Sequence, residues 1–133
     1  MKKTKISTDL APSAIGIYSQ AVRAGDFVFI SGQIPLDPKS MKVVDGDIND
    51  HIKQVLSNIK SIVKESGGTM NNIVKISVYL KDLEHFQNVN SVMESFFDEP
   101  YPSRAAVEVS RLPKDVSIEM DAILYVEKCF RNS

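Results

Sequence analysis

Cysteine is nearly absent: the 133 residues hold one, Cys129. No internal disulfide is available, which fits a reducing, cytoplasmic compartment. Histidine is scarce too, with His51 and His85 far apart in the chain. So few soft ligands argue against a dedicated zinc site. Neither sign of charge is in excess: 16 Lys and Arg against 17 Asp and Glu give a net charge of −1. That balance lacks the basic surplus by which proteins hold nucleic acid. No apolar run reaches transmembrane length, and none follows the basic Lys2, Lys3 and Lys5 as the core of a signal peptide would. Neither GxGxxG nor a Walker loop occurs, so no nucleotide cofactor is indicated. Linkers, low-complexity tracts and internal repeats are also missing, and the length fits one domain spanning 1–133.

What remains is a clear alternation of element patterns. Strand signals cover 18–24 and 27–30, around the turn Ala24-Gly25-Asp26. Ser31-Gly32-Gln33 interrupts the apolar pattern, and Pro35, Asp37 and Pro38 mark a loop. Ile48, Ile52, Val55, Leu56, Ile59, Ile62 and Val63 recur at helical spacing, with Asp45 or Asp47 as cap and Gly67-Gly68 as stop. Residues 73–80 predict a strand with Val74, Ile76, Val78 and Leu80 on one face. A second helix is expected from 83 or 84 to 97, striped by Phe86, Val89, Val92, Met93, Phe96 and Phe97 and ended by Pro100 and Pro102. Two strands follow, at 105–109 and 117–126. The order ββαβαββ predicts an α+β fold, a mixed sheet with two helices on one face.

Parity assigns faces to the last two strands. Ala105, Val107 and Val109, with Ile118, Met120, Ala122, Leu124 and Val126, make apolar faces suited to the helices. Arg104, Ala106 and Glu108, with Ser117, Glu119, Asp121, Ile123 and Tyr125, make mixed faces of the kind another subunit covers. Arg104 and Glu119 are therefore expected near an oligomer interface. Phe27, Phe29, Phe86, Phe96 and Phe97 lie at core spacings rather than forming a base-stacking platform.

Arg104 and Glu119 need a reason, because a charge on an apolar strand is expensive unless paired or used. Arg104 offers a planar fork for a carboxylate or phosphate; on residue type alone a structural ion pair with Glu108, Glu119 or another acid is the commoner use. Glu119 has the chemistry of a general acid, base or water holder, and also of an ordinary paired strand carboxylate. Tyr18 offers a phenol to a ligand, or is a half-buried aromatic. Ser31-Gly32, at a strand end, offers a backbone N–H to an anion, or simply ends the strand. Asn90 sits within the apolar stripe of the second helix, and its amide must find a partner in backbone or ligand. Ser31 lacks the flanking glycines of a nucleophile elbow, and no His lies near it in sequence, so a Ser-His-Asp triad is not indicated.

Four segments in order carry a resemblance: APSAIGIYSQAV, FISGQIPLDP, NVNSVMESFF and RAAVEVSRLPKDVSIEMDA. Over nearly its whole length the chain resembles the RidA family of reactive-intermediate deaminases, also called YjgF or L-PSP proteins. The resemblance implies a chorismate-mutase-like fold and a barrel-like homotrimer with sites in clefts between subunits. It implies hydrolysis of 2-imino and 2-enamino acids, such as those derived from 2-aminoacrylate, to 2-oxo acids and ammonia. No metal or organic cofactor is implied. Arg104 matches the family's substrate-carboxylate arginine and Glu119 the glutamate that positions or activates water. Tyr18, Ser31, Gly32 and Asn90 match other lining residues, and backbone near Gly32 and Ala106 would hold the substrate's polar edge. Some relatives are described as endoribonucleases or translation inhibitors, and a non-catalytic trimer binding small carboxylates is a further alternative. The chain departs from the family pattern in three places. Ile17 replaces a common proline in Gly16-Ile17-Tyr18, the loop Asp98-Glu99-Pro100-Tyr101 is shorter than in some relatives, and Ala106 stands where many members carry cysteine. Cys129 lies in the tail and is no obvious substitute for that thiol.

Overall fold

The structure, a computed structural model, describes residues 2–128; Cys129 lies outside them. Their elements are β1 (Lys3–Ile6), β2 (Ala21–Ala24), β3 (Phe27–Gln33), α1 (Ile48–Glu65), β4 (Ile73–Leu80), α2 (Phe86–Glu94), β5 (Ser103–Glu108) and β6 (Ile118–Tyr125). One sheet runs in the order β1-β2-β3-β6-β4-β5. Its neighbours are antiparallel except for β4 and β5, which are parallel across the α2 crossover. The fold is the α+β class that the sequence predicts, a mixed sheet with two helices on one face.

Helix α1 starts where Asp47 and Asp50 form a reciprocal capping box, satisfying two backbone donors that the first turn leaves free. Its buried stripe, Ile52, Val55, Leu56, Ile59, Ile62 and Val63, packs on β3 and β6. Burying each such side chain contributes about 1.5–3 kcal/mol. Strand β6 is the sheet's middle, with Ile118, Met120, Ala122 and Leu124 buried beneath the helices. Asn58 is the polar exception on α1. Its amide donates to the carbonyls of Leu36 and Ile34 at 3.0 and 3.3 Å, tying the loop after β3 to the helix.

Several expectations need correction. An extra strand, β1, precedes those anticipated, giving βββαβαββ. Its sequence KTKI is short and basic, and only pairing with β2 makes it a strand. The expected strand at 18–24 begins at Ala21, because residues 18–20 belong to the loop that leads into it. Helix α2 is shorter than expected, preceded by a 3-10 turn at Leu83–His85 and closed at Ser95. In β4 a register shift between Ile73 and Lys75 turns Val74 out to solvent and Ile73 into the core. Phe27 and Phe29 are 43% and 46% exposed rather than core, because Val28 and Ile30, their neighbours in the period-two pattern, take the buried face. Phe97 is buried, and Phe96 packs against the core.

The largest correction concerns parity. β5 and β6 are not partners, since β4 lies between them. Ile76 pairs with Arg104, Val78 with Ala106 and Leu80 with Glu108. Ile76, Val78 and Leu80 are buried under the helices, so Arg104, Ala106 and Glu108 share the helix face. Tyr79, on the other face, pairs with both Val107 and Glu119. Arg104 and Glu119 thus stand on opposite faces of the sheet. Sequence parity fixes relative facing within a strand but not which face meets the core, and β5 at the sheet edge leaves its apolar Val107 exposed.

Candidate active site

Arg104 lies beneath α2. Its Nη1 donates to Asn90 Oδ1 at 2.7 Å and reaches Met93 Sδ at 3.6 Å. The guanidinium rests on the Phe86 ring, 4.9 Å from the centroid, a cation–π contact. Asn90 in turn donates to Gln87 Oε1 at 3.2 Å. Among the described residues the only ion pair is Arg111–Asp115, on the surface. Glu108, the nearest candidate by sequence, instead accepts from the Leu83 N–H at 3.0 Å. Among the described residues Arg104 therefore forms no ion pair. It is held on one side by an amide and an aromatic face, and it lines a cavity of ≈ 570 Å3 with Asn90, Met93, Tyr101 and Pro102. Phe86 was expected in the core; a helix position one turn before Asn90 is the signal that places it under the arginine.

Ala106 sits two residues along the same strand, half-buried against the core. Val109 N–H donates to Leu80 O at 2.9 Å. By alternation, the backbone N–H and C=O of Arg104, Ala106 and Glu108 point the other way, off the open edge of the sheet. They are free to meet a ligand or another chain.

Glu119 lies on the opposite face, in the central strand. Burial pushes its carboxyl above the usual carboxylate range, and the nearby charge of Asp121 adds to the shift. Beside it, β3 carries a bulge: Ile30 pairs with Ala122 and Gln33 with Met120, so Ser31 and Gly32 together oppose Asp121 alone. Gly32 is needed for space, because a Cβ there would overlap the Glu119 carboxylate. The Ser31-Gly32 interruption seen in the sequence is thus the cradle of Glu119. Ser31 does not offer its donors to a ligand. Its N–H donates to Gln20 O at 3.0 Å and its Oγ to Ser19 O at 2.6 Å. It anchors the loop that carries Tyr18.

That loop forms one wall of a second cavity, of ≈ 610 Å3. Tyr18, Gly32 and Glu119 line it together with apolar residues including Ile15, Leu36 and Met41. Tyr18 Oη accepts from the Ile15 N–H at 3.3 Å. Gly16, at φ +126°, makes the turn between them. Ile17 is fully exposed. Gln20 holds the loop in place and was not anticipated. It is 3% exposed, accepts from Thr8 N–H at 2.7 Å, and donates to the carbonyls of Thr8, Ala11 and Pro12 at 3.0, 3.2 and 2.8 Å. Lys114, also in the lining, was likewise missed; its left-handed backbone (φ 56°) at the turn before β6 gives no pattern signal. No cluster of three or more metal-ligating side chains occurs among the described residues, and no helix among them is long and apolar enough to cross a membrane.

The structure therefore brings Arg104 and Asn90 together in one cavity, and Tyr18, Gly32 and Glu119 together in another. It does not bring the two sets together within one chain. Comparison with known proteins places the chain in a family. The profile of the endoribonuclease L-PSP family matches residues 8–126. A RutC family protein of Pyrococcus abyssi is 53% identical over 127 residues, covering 96% of this chain and all of that one. A protein of Salmonella typhimurium named 2-iminobutanoate/2-iminopropanoate deaminase is 48% identical over 126 residues, covering 92% of this chain and 97% of its own. Among solved structures, Escherichia coli TdcF with bound serine superposes with a TM-score of 0.86 at 42% identity, covering 92% of this chain and 98% of that one. The chain belongs to the L-PSP family, the family of the RidA and RutC proteins.

Proposed function

We propose that this protein is a hydrolytic deaminase of 2-imino and 2-enamino acids, with each site completed between two copies of the chain in a homotrimer. The observation that carries the reading is the separation of Arg104 and Glu119 onto opposite faces of one sheet, each in its own cavity. A cation with unpaired donors and a desolvated carboxylate are complementary halves of a site for a small carboxylate. The open sheet face supports assembly. Phe27, Phe29, Val107 and Tyr125 are exposed there, with the Phe27 and Tyr125 rings 5.3 Å apart edge to face. A contiguous aromatic patch on the face that carries Glu119 suits burial against a second copy. A relative crystallised with serine and another named as an imino-acid deaminase point to the same ligand class.

In the proposed reaction Arg104 grips the substrate carboxylate through its free donors. Asn90 and Phe86 hold the guanidinium so that its orientation is already set. Glu119 takes a proton from water as the water oxygen bonds to the imine carbon. The C=N π pair moves to nitrogen, which takes that proton from Glu119, giving a neutral carbinolamine. Glu119 then takes the hydroxyl proton as that oxygen forms the C=O of the 2-oxo acid, and passes it to the amino nitrogen as the C–N bond breaks and ammonia leaves. An imine carbon is already electrophilic, so the demand on the site is modest compared with peptide hydrolysis. The thiol that many relatives place at the Ala106 position takes no part in this scheme.

The test uses purified protein with a serine or threonine dehydratase as the source of imine, its decay followed by absorbance. Wild type accelerates the decay, and Arg104→Ala does not; full activity in Arg104→Ala would sink the mechanism. The matching family's description favours a second reading, RNA cleavage. The net charge of −1 gives it little electrostatic support. Metal-independent, salt-sensitive cleavage that survives rigorous nuclease removal and disappears in Arg104→Ala would favour it.

A further inference from the structure

Asp121 and Tyr79 form a pair that the proposed mechanism leaves unused. Asp121 follows Glu119 by two residues on β6, so the two side chains share a face about 7 Å apart along the strand. Tyr79 stands directly across from Glu119 on β4. Its hydroxyl reaches diagonally past Glu119 and donates to Asp121 Oδ2 at 3.0 Å. That bond fixes the Asp121 carboxylate beside the Glu119 position. Both residues are half-buried on the open face. The charged or titratable groups facing Glu119 are Asp121 from β6, Tyr79 from β4, Tyr18 from the loop before β2 and Lys114 from the turn before β6. From β3 comes only the uncharged backbone at Gly32.

We propose that Asp121, oriented by the Tyr79 hydroxyl, is a positioning residue that acts through Glu119, its negative charge making Glu119 a stronger base toward water. The inference rests on the assignment of Glu119 as the water-activating group. Were Asp121 within hydrogen-bond reach of Glu119 it would share its proton; two residues away and bound by a tyrosine, it acts only through its field. Covering this face with a second copy would exclude water and strengthen that field. A stronger base transfers protons from water faster, as long as it remains deprotonated at the working pH.

The experiment compares wild type with Asp121→Asn and Asp121→Glu. Asparagine keeps an oxygen to accept from Tyr79, so the fold is retained while the charge is lost. In Asp121→Asn the acid limb of the imine-hydrolysis profile moves down by roughly half to one pH unit. The plateau kcat falls about two- to threefold with KM unchanged. Asp121→Glu restores the limb. A carbon-13 NMR titration of the Glu119 carboxyl, with no substrate present, shows its midpoint moving down in Asp121→Asn. A fall in kcat with limb and midpoint unmoved would overturn the proposal and leave Asp121 structural. If wild type does not accelerate imine decay, the deaminase reading fails by itself. The NMR midpoint then decides the coupling, a shift supporting it and no shift overturning it.

Discussion

The two cavities hold opposite charges under opposite conditions. Arg104 sits at a sheet edge, solvated, propped by an amide and an aromatic ring, with no counter-ion in the chain among the described residues. Glu119 sits in the central strand, half-buried, pressed against Gly32 and within the field of a second carboxylate. The arginine keeps its charge without penalty because water still reaches it. Burial and that second charge raise the glutamate's carboxyl, so its ionised form is the one that folding disfavours. Each half has what the other lacks, and the sheet between them prevents their meeting within one copy.

That contrast can be broken at either side. The largest effect is expected from Glu119→Gln, which should lower kcat by about 10²–10⁴-fold with little change in KM. Arg104→Ala should lower kcat/KM about 10²–10³-fold, chiefly through KM, and Arg104→Lys should recover only part because it lacks the planar fork. Gly32→Ala should displace the Glu119 carboxylate, lowering kcat at small cost in stability, because the crowded atoms are the end of a flexible side chain. Chemical denaturation together with steady-state kinetics separates those two losses. Glu119→Gln should also stabilise the fold slightly at neutral pH. The sign follows from a carboxyl raised in the folded state. Its contribution is fully favourable below the ordinary carboxylate range and is lost as pH rises through the raised value. The gain should therefore vanish in acid, which thermal unfolding at two pH values checks. The smallest effect belongs to Ala106→Cys. The side chain is half-buried on the arginine's face and outside the proposed proton path, so activity should stay within about threefold.

Much of this was legible in the residues themselves. Helical spacing located α1 and its stripe, and the run Ile73–Leu80 was bounded correctly. Arg104, Glu119, Tyr18, Gly32 and Asn90 all line cavities. What could not be read was tertiary. The insertion of β6 between β3 and β4, and the parallel pairing of β5, depend on contacts remote in sequence. Without them, parity could not say that Arg104 faces α2 and Glu119 faces away. Ser31 illustrates the same limit, since its hydroxyl is consumed by Ser19, a neighbour only after β2 and β3 pair. Gln20 gives no pattern signal at all; its role emerges only when the loop folds back over it.

The central claim is that one copy supplies Arg104 and another Glu119. Mixing the inactive variants Arg104→Ala and Glu119→Gln, by unfolding and refolding them together, tests it directly. If sites form between copies, random assembly at equal amounts pairs an intact arginine with an intact glutamate at about a quarter of the sites, restoring about a quarter of wild-type activity. If the mixture stays as inactive as its components while refolded wild type recovers, the two residues do not act across an interface, and the account is wrong.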